Sequence, residues 1–225
     1  MSAKSSVFDM IGPVMIGPSS SHTAGVVRIG RVANKIIAGL PDTVTITFYN
    51  SFARTYEGHG SNRAILAGLM DFKTDDSRIK TALDLAKEKK ITYTFKGVGN
   101  ASVLHPNTVK IEAEKGKRKI TVLGESRGGG VIRIKEFNGY DTNFTANSHT
   151  LIVEAEDIPG SIAYISNVIS HDNCNIGTMT VSRKGKHGIA CQVIEMDSGI
   201  KSITLEYLKQ LDWVKSALYI PDIDQ

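Results

Sequence analysis

Cysteine is scarce in this chain, with only Cys174 and Cys191 among 225 residues. A secreted disulfide framework is therefore not expected, no Cys-x-x-Cys metal motif exists, and a cluster needing three thiolates would have to find them on another chain. Tryptophan occurs once, and the seven phenylalanines and seven tyrosines are scattered without interleaved basic residues, unlike a nucleic-acid stacking platform. Net charge is only +4, and the basic clusters Lys87 to Lys90, Lys115 to Lys119 and Arg183 to Lys186 fall at helix ends or beside glycine turns. No nucleic-acid partner is expected. No continuous apolar run approaches the length of a membrane span, and Met1 to Asp9 lacks the charged-then-apolar pattern of a secretion signal, so no membrane association and a cytoplasmic location are expected.

With 41% hydrophobic and 22% charged residues, the sequence suits an ordinary globular protein of two domains. Residues Ala24 to Leu40 carry apolar side chains at helical spacing and end at Gly39 and Pro41, which predicts an amphipathic helix. Thr43 to Tyr49 alternates as a strand does. A glycine turn at Gly58 leads into a helix reaching Phe72, and another helix is predicted from Asp76 to Lys89. Strands are predicted over Ile91 to Phe95, Thr108 to Ala113, Lys119 to Leu123 and Val131 to Glu136, giving a sheet built largely from nearby antiparallel strands. Polar and turn residues accumulate between Asn138 and Thr150 and mark a boundary, which places the domains at 1–147 and 148–225. Beyond it the order β-α-β-β-α-β runs from Leu151 to Ile220, the split ferredoxin-like arrangement. The fold class expected is thus α+β, a mixed α/β-sheet domain followed by a ferredoxin-like one.

The segment Gly17-Pro18-Ser19-Ser20-Ser21-His22-Thr23-Ala24-Gly25 sets hydroxyls and an imidazole just before a helical pattern. Backbone N–H groups at a helix start carry partial positive charge, and small serine side chains cap them or let a carboxylate or phosphate approach. A histidine beside them exchanges protons near neutral pH. The plain alternative is a serine-rich cap with a surface histidine.

Residues 151–222 resemble an ACT domain, a small amino-acid-binding regulatory module, through Glu156-Asp157-Ile158-Pro159-Gly160-Ser161 and Cys174-Asn175-Ile176-Gly177. That resemblance implies a regulatory ligand at Asp157, Pro159, Gly160, Ser161, Asn175 and Ile176, and a homodimer through this domain. The N-terminal part resembles the β chain of the two-chain, iron–sulfur-dependent L-serine dehydratases. The motifs that carry this likeness are Gly17 to Thr23, Tyr49-Asn50-Ser51-Phe52-Ala53, Gly58-His59-Gly60-Ser61-Asn62-Arg63-Ala64 and Glu125-Ser126-Arg127-Gly128-Gly129-Gly130. At the level of fold this part is also similar to the allosteric substrate-binding domain of some phosphoglycerate dehydrogenases.

The resemblance implies deamination of L-serine to pyruvate and ammonia with an α subunit, which would hold a four-iron, four-sulfur cluster through its own cysteines; no metal ligand is expected on this chain. Dehydrating a β-hydroxy amino acid means holding a carboxylate, removing a Cα proton and expelling hydroxide. Ser19, Ser20, Ser21 and Thr23 with the adjoining helix start suit the carboxylate, and His22 suits the base or a proton relay. His59 is expected to position the substrate or deliver a proton to the leaving group, with Gly60 and Ser61 beside it. Ser126, Gly128, Gly129 and Gly130 offer backbone donors, although a strand bulge needs the same glycines. Two other readings remain open at this stage: a purely regulatory subunit that binds serine or another anion, and a freestanding amino-acid-binding protein.

Overall fold

The computed structural model describes residues 13–100 and 103–223. Two compact units divide the chain at residues 138 and 139. In the first, helix α1 (Gly25–Ile37) buries Val26, Val27, Ile29, Val32, Ala33, Ile36 and Ile37 completely. It stops short of the expected Leu40 because Ala38 turns left-handed, with φ of 63°, and its N–H returns to Asn34 and Lys35. Strand β1 (Thr43–Tyr49) follows, then α2 (Asn50–Thr55), α3 (Ser61–Leu69), a 3-10 turn at Ser77–Thr81, α4 (Ala82–Glu88) and β2 (Thr92–Val98). Asp76 caps the 3-10 turn by accepting from the Arg78 N–H at 2.9 Å, so the helix expected from Asp76 opens more tightly wound than an α-helix.

Strands β3 (Thr108–Lys115), β4 (Arg118–Gly128) and β5 (Val131–Phe137) complete the first unit, and its strands lie in the order β2-β1-β3-β4-β5. From β1 through β5 neighbours run antiparallel, as expected from nearby strands. The β1–β2 pair is parallel, with Thr43 opposite Thr92 and Tyr49 opposite Val98. A parallel pair needs a crossover, and the segment carrying α2, α3 and α4 supplies it. Phe48 lies opposite Val109 and Thr108 opposite Glu125. The end of β1, the start of β3 and the end of β4 therefore share one edge of the sheet.

The second unit opens with β6 (Tyr140–Phe144), in a stretch read from sequence as turn. There Tyr140, Thr142 and Phe144 are buried while Asp141 and Asn143 are exposed, the period-two alternation of a strand. Strands β7 (His149–Glu156), β8 (Ile176–Arg183), β9 (Ile189–Met196) and β10 (Val214–Ile220) form a sheet ordered β10-β7-β9-β8. Helices α5 (Ser161–Ser170) and α6 (Ser202–Lys209) complete the β-α-β-β-α-β order. Leu151, Val153, Ile165, Ile169, Ile194 and Leu208 belong to its core.

Candidate functional site

The motifs singled out in the first unit converge on that shared sheet edge. Ser20–Ala24 forms a π-helical turn ahead of α1, with Ser19 as its cap accepting from the His22 N–H at 3.2 Å. Gly25 lies so close to β4 that a Cβ there would stand 2.1 Å from Ser126 Oγ. Ser20 Oγ accepts from the Gly129 N–H at 3.2 Å, and the Arg28 guanidinium donates to the Gly130 carbonyl. From the crossover, Ser61 Oγ donates to the His22 carbonyl at 2.7 Å, and Thr23 Oγ1 donates to the His59 carbonyl at 3.5 Å. The loop before β3 ties the other side. The Leu104 carbonyl accepts from Asn50 Nδ2 at 3.1 Å, and those of Pro106 and Asn107 accept from the Ser51 and Ser126 N–H groups, each at 3.0 Å.

His22 sits at the centre. Its Nδ1 lies 3.0 Å from Ser21 Oγ and 3.3 Å from Ser19 Oγ, while its Nε2 is buried and has no hydrogen-bond partner. Because a hydroxyl either donates or accepts, the serine pair supports both ring tautomers, and Nε2 is left to take or give a proton. An unpaired buried nitrogen costs roughly 1–3 kcal/mol, so the site favours any group that satisfies it. Phe52, fully buried, meets the ring edge-on with centroids 5.0 Å apart, and His59 does so at 4.7 Å. Burial, and then the charge of His59, hold His22 below the usual histidine range. His105, in the loop before β3, is lowered as well, first by burial and then by the Arg127 guanidinium.

Every site residue expected in the first unit falls within this assembly. The N–H groups of His22 and Thr23, anticipated as carboxylate donors, are used inside the turn by Ser19 Oγ and by the Ser19 carbonyl. Ser61 is fully buried at the start of α3, behind Gly60 in a left-handed conformation. Ser126 Oγ is buried without a partner. Gly128, Gly129 and Gly130 all have positive φ, and the β4–β5 register shifts between Ser126 and Gly128, so the glycine run does form a bulged turn. One of its N–H groups, that of Gly129, still points at the serine turn. His59 is exposed, and a cleft of about 150 Å³ opens beside it, lined by Gly17, Thr23, His59, Gly60, Arg63 and Lys80. Sequence reasoning assigned no role to Phe52, Arg63 or Lys80. Phe52 and Arg63 stand inside quoted motifs, while Lys80 is a lone surface lysine with no sequence signal.

In the second unit the residues expected to hold a regulatory ligand form two groups. Asp157 directly follows β7, paired with Arg183 at 2.7 Å, and that guanidinium holds its carboxyl below the usual range. Gly160 caps α5 with φ of 86° and nothing within 4 Å of a Cβ there, so backbone conformation rather than a close neighbour requires it. The Ser161 N–H donates to the Ile158 carbonyl at 3.3 Å. Asn175 and Ile176 lie elsewhere. Ile176 pairs with Met196, which pairs with His149 at the opposite end of β7. Seven residue steps of strand put roughly 20 Å between the two groups within one chain. Asn175 Nδ2 is engaged by Asp197 at 2.8 Å.

Among the described residues no group of three or more His, Cys, Asp or Glu side chains is placed to hold a metal ion. Both cysteines are buried, and burial with the Glu154 carboxylate pushes the Cys191 thiol up to about 12. These residues do not fit an iron–sulfur cluster. No helix among the described residues is long and apolar enough to cross a membrane.

Residues 6–136 match the family model described as Serine dehydratase beta chain. The chain is 44% identical to the "Probable L-serine dehydratase, beta chain" of Bacillus subtilis, over 96% of this chain and 98% of that one. It is 33% identical to the L-serine dehydratase beta chain of Peptoniphilus asaccharolyticus, over 96% and 97%. A D-3-phosphoglycerate dehydrogenase of Bacillus subtilis is 23% identical over 88% of this chain and 37% of that protein.

Proposed function

The chain belongs to the serine dehydratase beta chain family, and from that premise we propose that it works with an α subunit to convert L-serine to pyruvate and ammonia. Removing the Cα proton and the β-hydroxyl from serine releases water and leaves an enamine, which tautomerises to an imine and hydrolyses to the two products. In the proposed complex the iron–sulfur cluster belongs to the α subunit. This chain holds and orients the substrate and moves a proton.

The observation that carries the reading is His22 Nε2, buried and unpartnered on an imidazole whose other nitrogen rests against two serine hydroxyls. A base kept below the usual histidine range is neutral at physiological pH and ready to accept a proton. His59, exposed at the cleft and in ring contact with His22, passes a proton to or from the departing group. Ser19, Ser20, Ser21, Thr23 and Ser61 fix the turn, and Ser126 with Gly128 to Gly130 supplies the facing wall. The second unit is read as an ACT domain that binds an amino acid and associates with another copy.

The deciding experiment is co-production with the candidate α chain under anaerobic conditions and assay of pyruvate from L-serine. The pair is expected to release pyruvate and either chain alone none; turnover by this chain alone, or none by the pair, would overturn the reading. The likeness to a dehydrogenase over both units favours a second reading, in which the first unit binds serine or another anion only to regulate. Near-normal turnover in a His22→Ala complex would select it.

A further inference from the structure

We propose that the cleft between Arg63 and Lys80 receives the α-carboxylate of the amino-acid substrate, an inference that rests on the serine dehydratase reading above. The cleft measures about 150 Å³ and is bounded by Gly17, Thr23, His59 and Gly60 as well as the two cations. Pockets for drug-sized ligands span roughly 300–1,000 Å³, so this one suits a molecule no larger than a small amino acid.

Charge points to the same place. Several other cations of the first unit are committed to carboxylates: Arg31 and Lys35 to Asp71, Arg78 to Asp76, and Arg127 to Glu125. Among the described residues neither Arg63 nor Lys80 has an acidic partner. Arg63 projects from the first turn of α3, and its guanidinium folds over Gly60, with Nη2 3.5 Å from where a Cβ there would stand. A guanidinium presents paired N–H donors that match a carboxylate, and Lys80, which also lines the cleft, adds a point charge. The serine turn has spent the N–H groups of His22 and Thr23 internally, which leaves this cleft as the stronger anion site. A carboxylate held here keeps the rest of a short amino acid against His59 and, beyond it, His22.

The test is steady-state kinetics on the anaerobic α and β complex. Arg63→Gln is expected to raise KM for L-serine about 10- to 100-fold, the loss of a charge-assisted hydrogen-bonded pair, with kcat within about threefold of the parent. Arg63→Lys should recover part of the KM, and Lys80→Gln should raise it by no more than about fivefold, as befits an exposed charge. A KM within twofold of the parent for Arg63→Gln would overturn the proposal. So would weakened assembly with an unchanged KM, which would assign Arg63 to an acidic group on the partner. Should the parent complex release no pyruvate, the subunit reading fails on its own. Calorimetry of L-serine against full-length parent and Arg63→Gln chains then decides the carboxylate site: binding heat lost in the variant keeps it, and equal heats or none in either remove it.

Discussion

His59 stands edge-on to His22, with ring centroids 4.7 Å apart and planes at 82°, so a positive charge on one imidazole penalises a positive charge on the other. Burial is the larger cause and His59 the second, and both keep His22 neutral. Proton NMR should therefore find His22 titrating below about 6.5, the usual histidine value. In His59→Gln it should titrate higher than in the parent, yet still below that value. An unmoved titration would show that the two rings do not sense each other.

The same depression has a sign for stability. In the unfolded chain His22 takes up a proton near its usual value, whereas the folded chain resists until lower pH, so the unfolded state binds more protons in between. Stability from this group is complete above about 6.5 and is lost as pH falls through the folded value. His105 acts in the same direction. Urea midpoints should drop between pH 7.5 and pH 5.5, and less so in a His22→Gln, His105→Gln chain.

His22→Ala in the complex is expected to lower kcat by roughly two to four orders of magnitude with assembly intact. The serines should behave as a pair. Because Ser19 and Ser21 both lie within reach of Nδ1, either single alanine variant should keep most of the activity, and the double variant should lose more than the sum of the two. Additive losses would mean that the hydroxyls do separate work.

Where α1 begins, Gly25 and Ser126 leave no space for a methyl group: a Cβ on Gly25 would stand 2.1 Å from Ser126 Oγ and 2.9 Å from its Cβ. Gly25→Ala should destabilise the chain by about 1–3 kcal/mol, the usual cost of overpacking. Adding Ser126→Gly should restore most of it, as read from denaturant midpoints. Failure of the second change to help would place the strain elsewhere.

Neither cysteine should react with a thiol reagent at pH 8 in the folded chain, and both should react once it is denatured. Both are buried, and the Cys191 thiol is pushed up to about 12. Any loss of activity of the complex in air should thus run at the same rate in a Cys174→Ala, Cys191→Ala variant.

Local pattern carried much of the fold. β1 occupies the residues that alternation assigns it, because it pairs with both neighbours through an unbroken register and the chain turns left-handed at Asn50 directly after it. The end of α1 was less legible, since the left-handed turn at Ala38 uses a residue with no preference for it. β6 was hidden by composition: Asp141 and Asn143 are turn formers, and only Tyr140, Thr142 and Phe144 hint at the buried face. The parallel partner of β1 could not be read at all, because pairing across a long crossover leaves no local trace. For the site, residue types and motif order pointed to the serine turn and both histidines. The buried state of Nε2, the wall formed by Phe52 and the cleft at Arg63 arise only from tertiary packing.

The parallel β1–β2 pair has a consequence for how this protein can be altered. Residues 50–91 leave the sheet at Tyr49 and rejoin it at Thr92, beside the strand they left. His59, Ser61, Arg63 and Lys80 all ride on that excursion, while His22 and the glycine turn are anchored to α1 and β4. One half of the candidate chemistry is thereby an exchangeable cassette with fixed splice points. Grafting the corresponding stretch from a relative would change the cleft, and with it the Phe52, His59 and Ser61 contacts to His22, while leaving the frame's strand register in place.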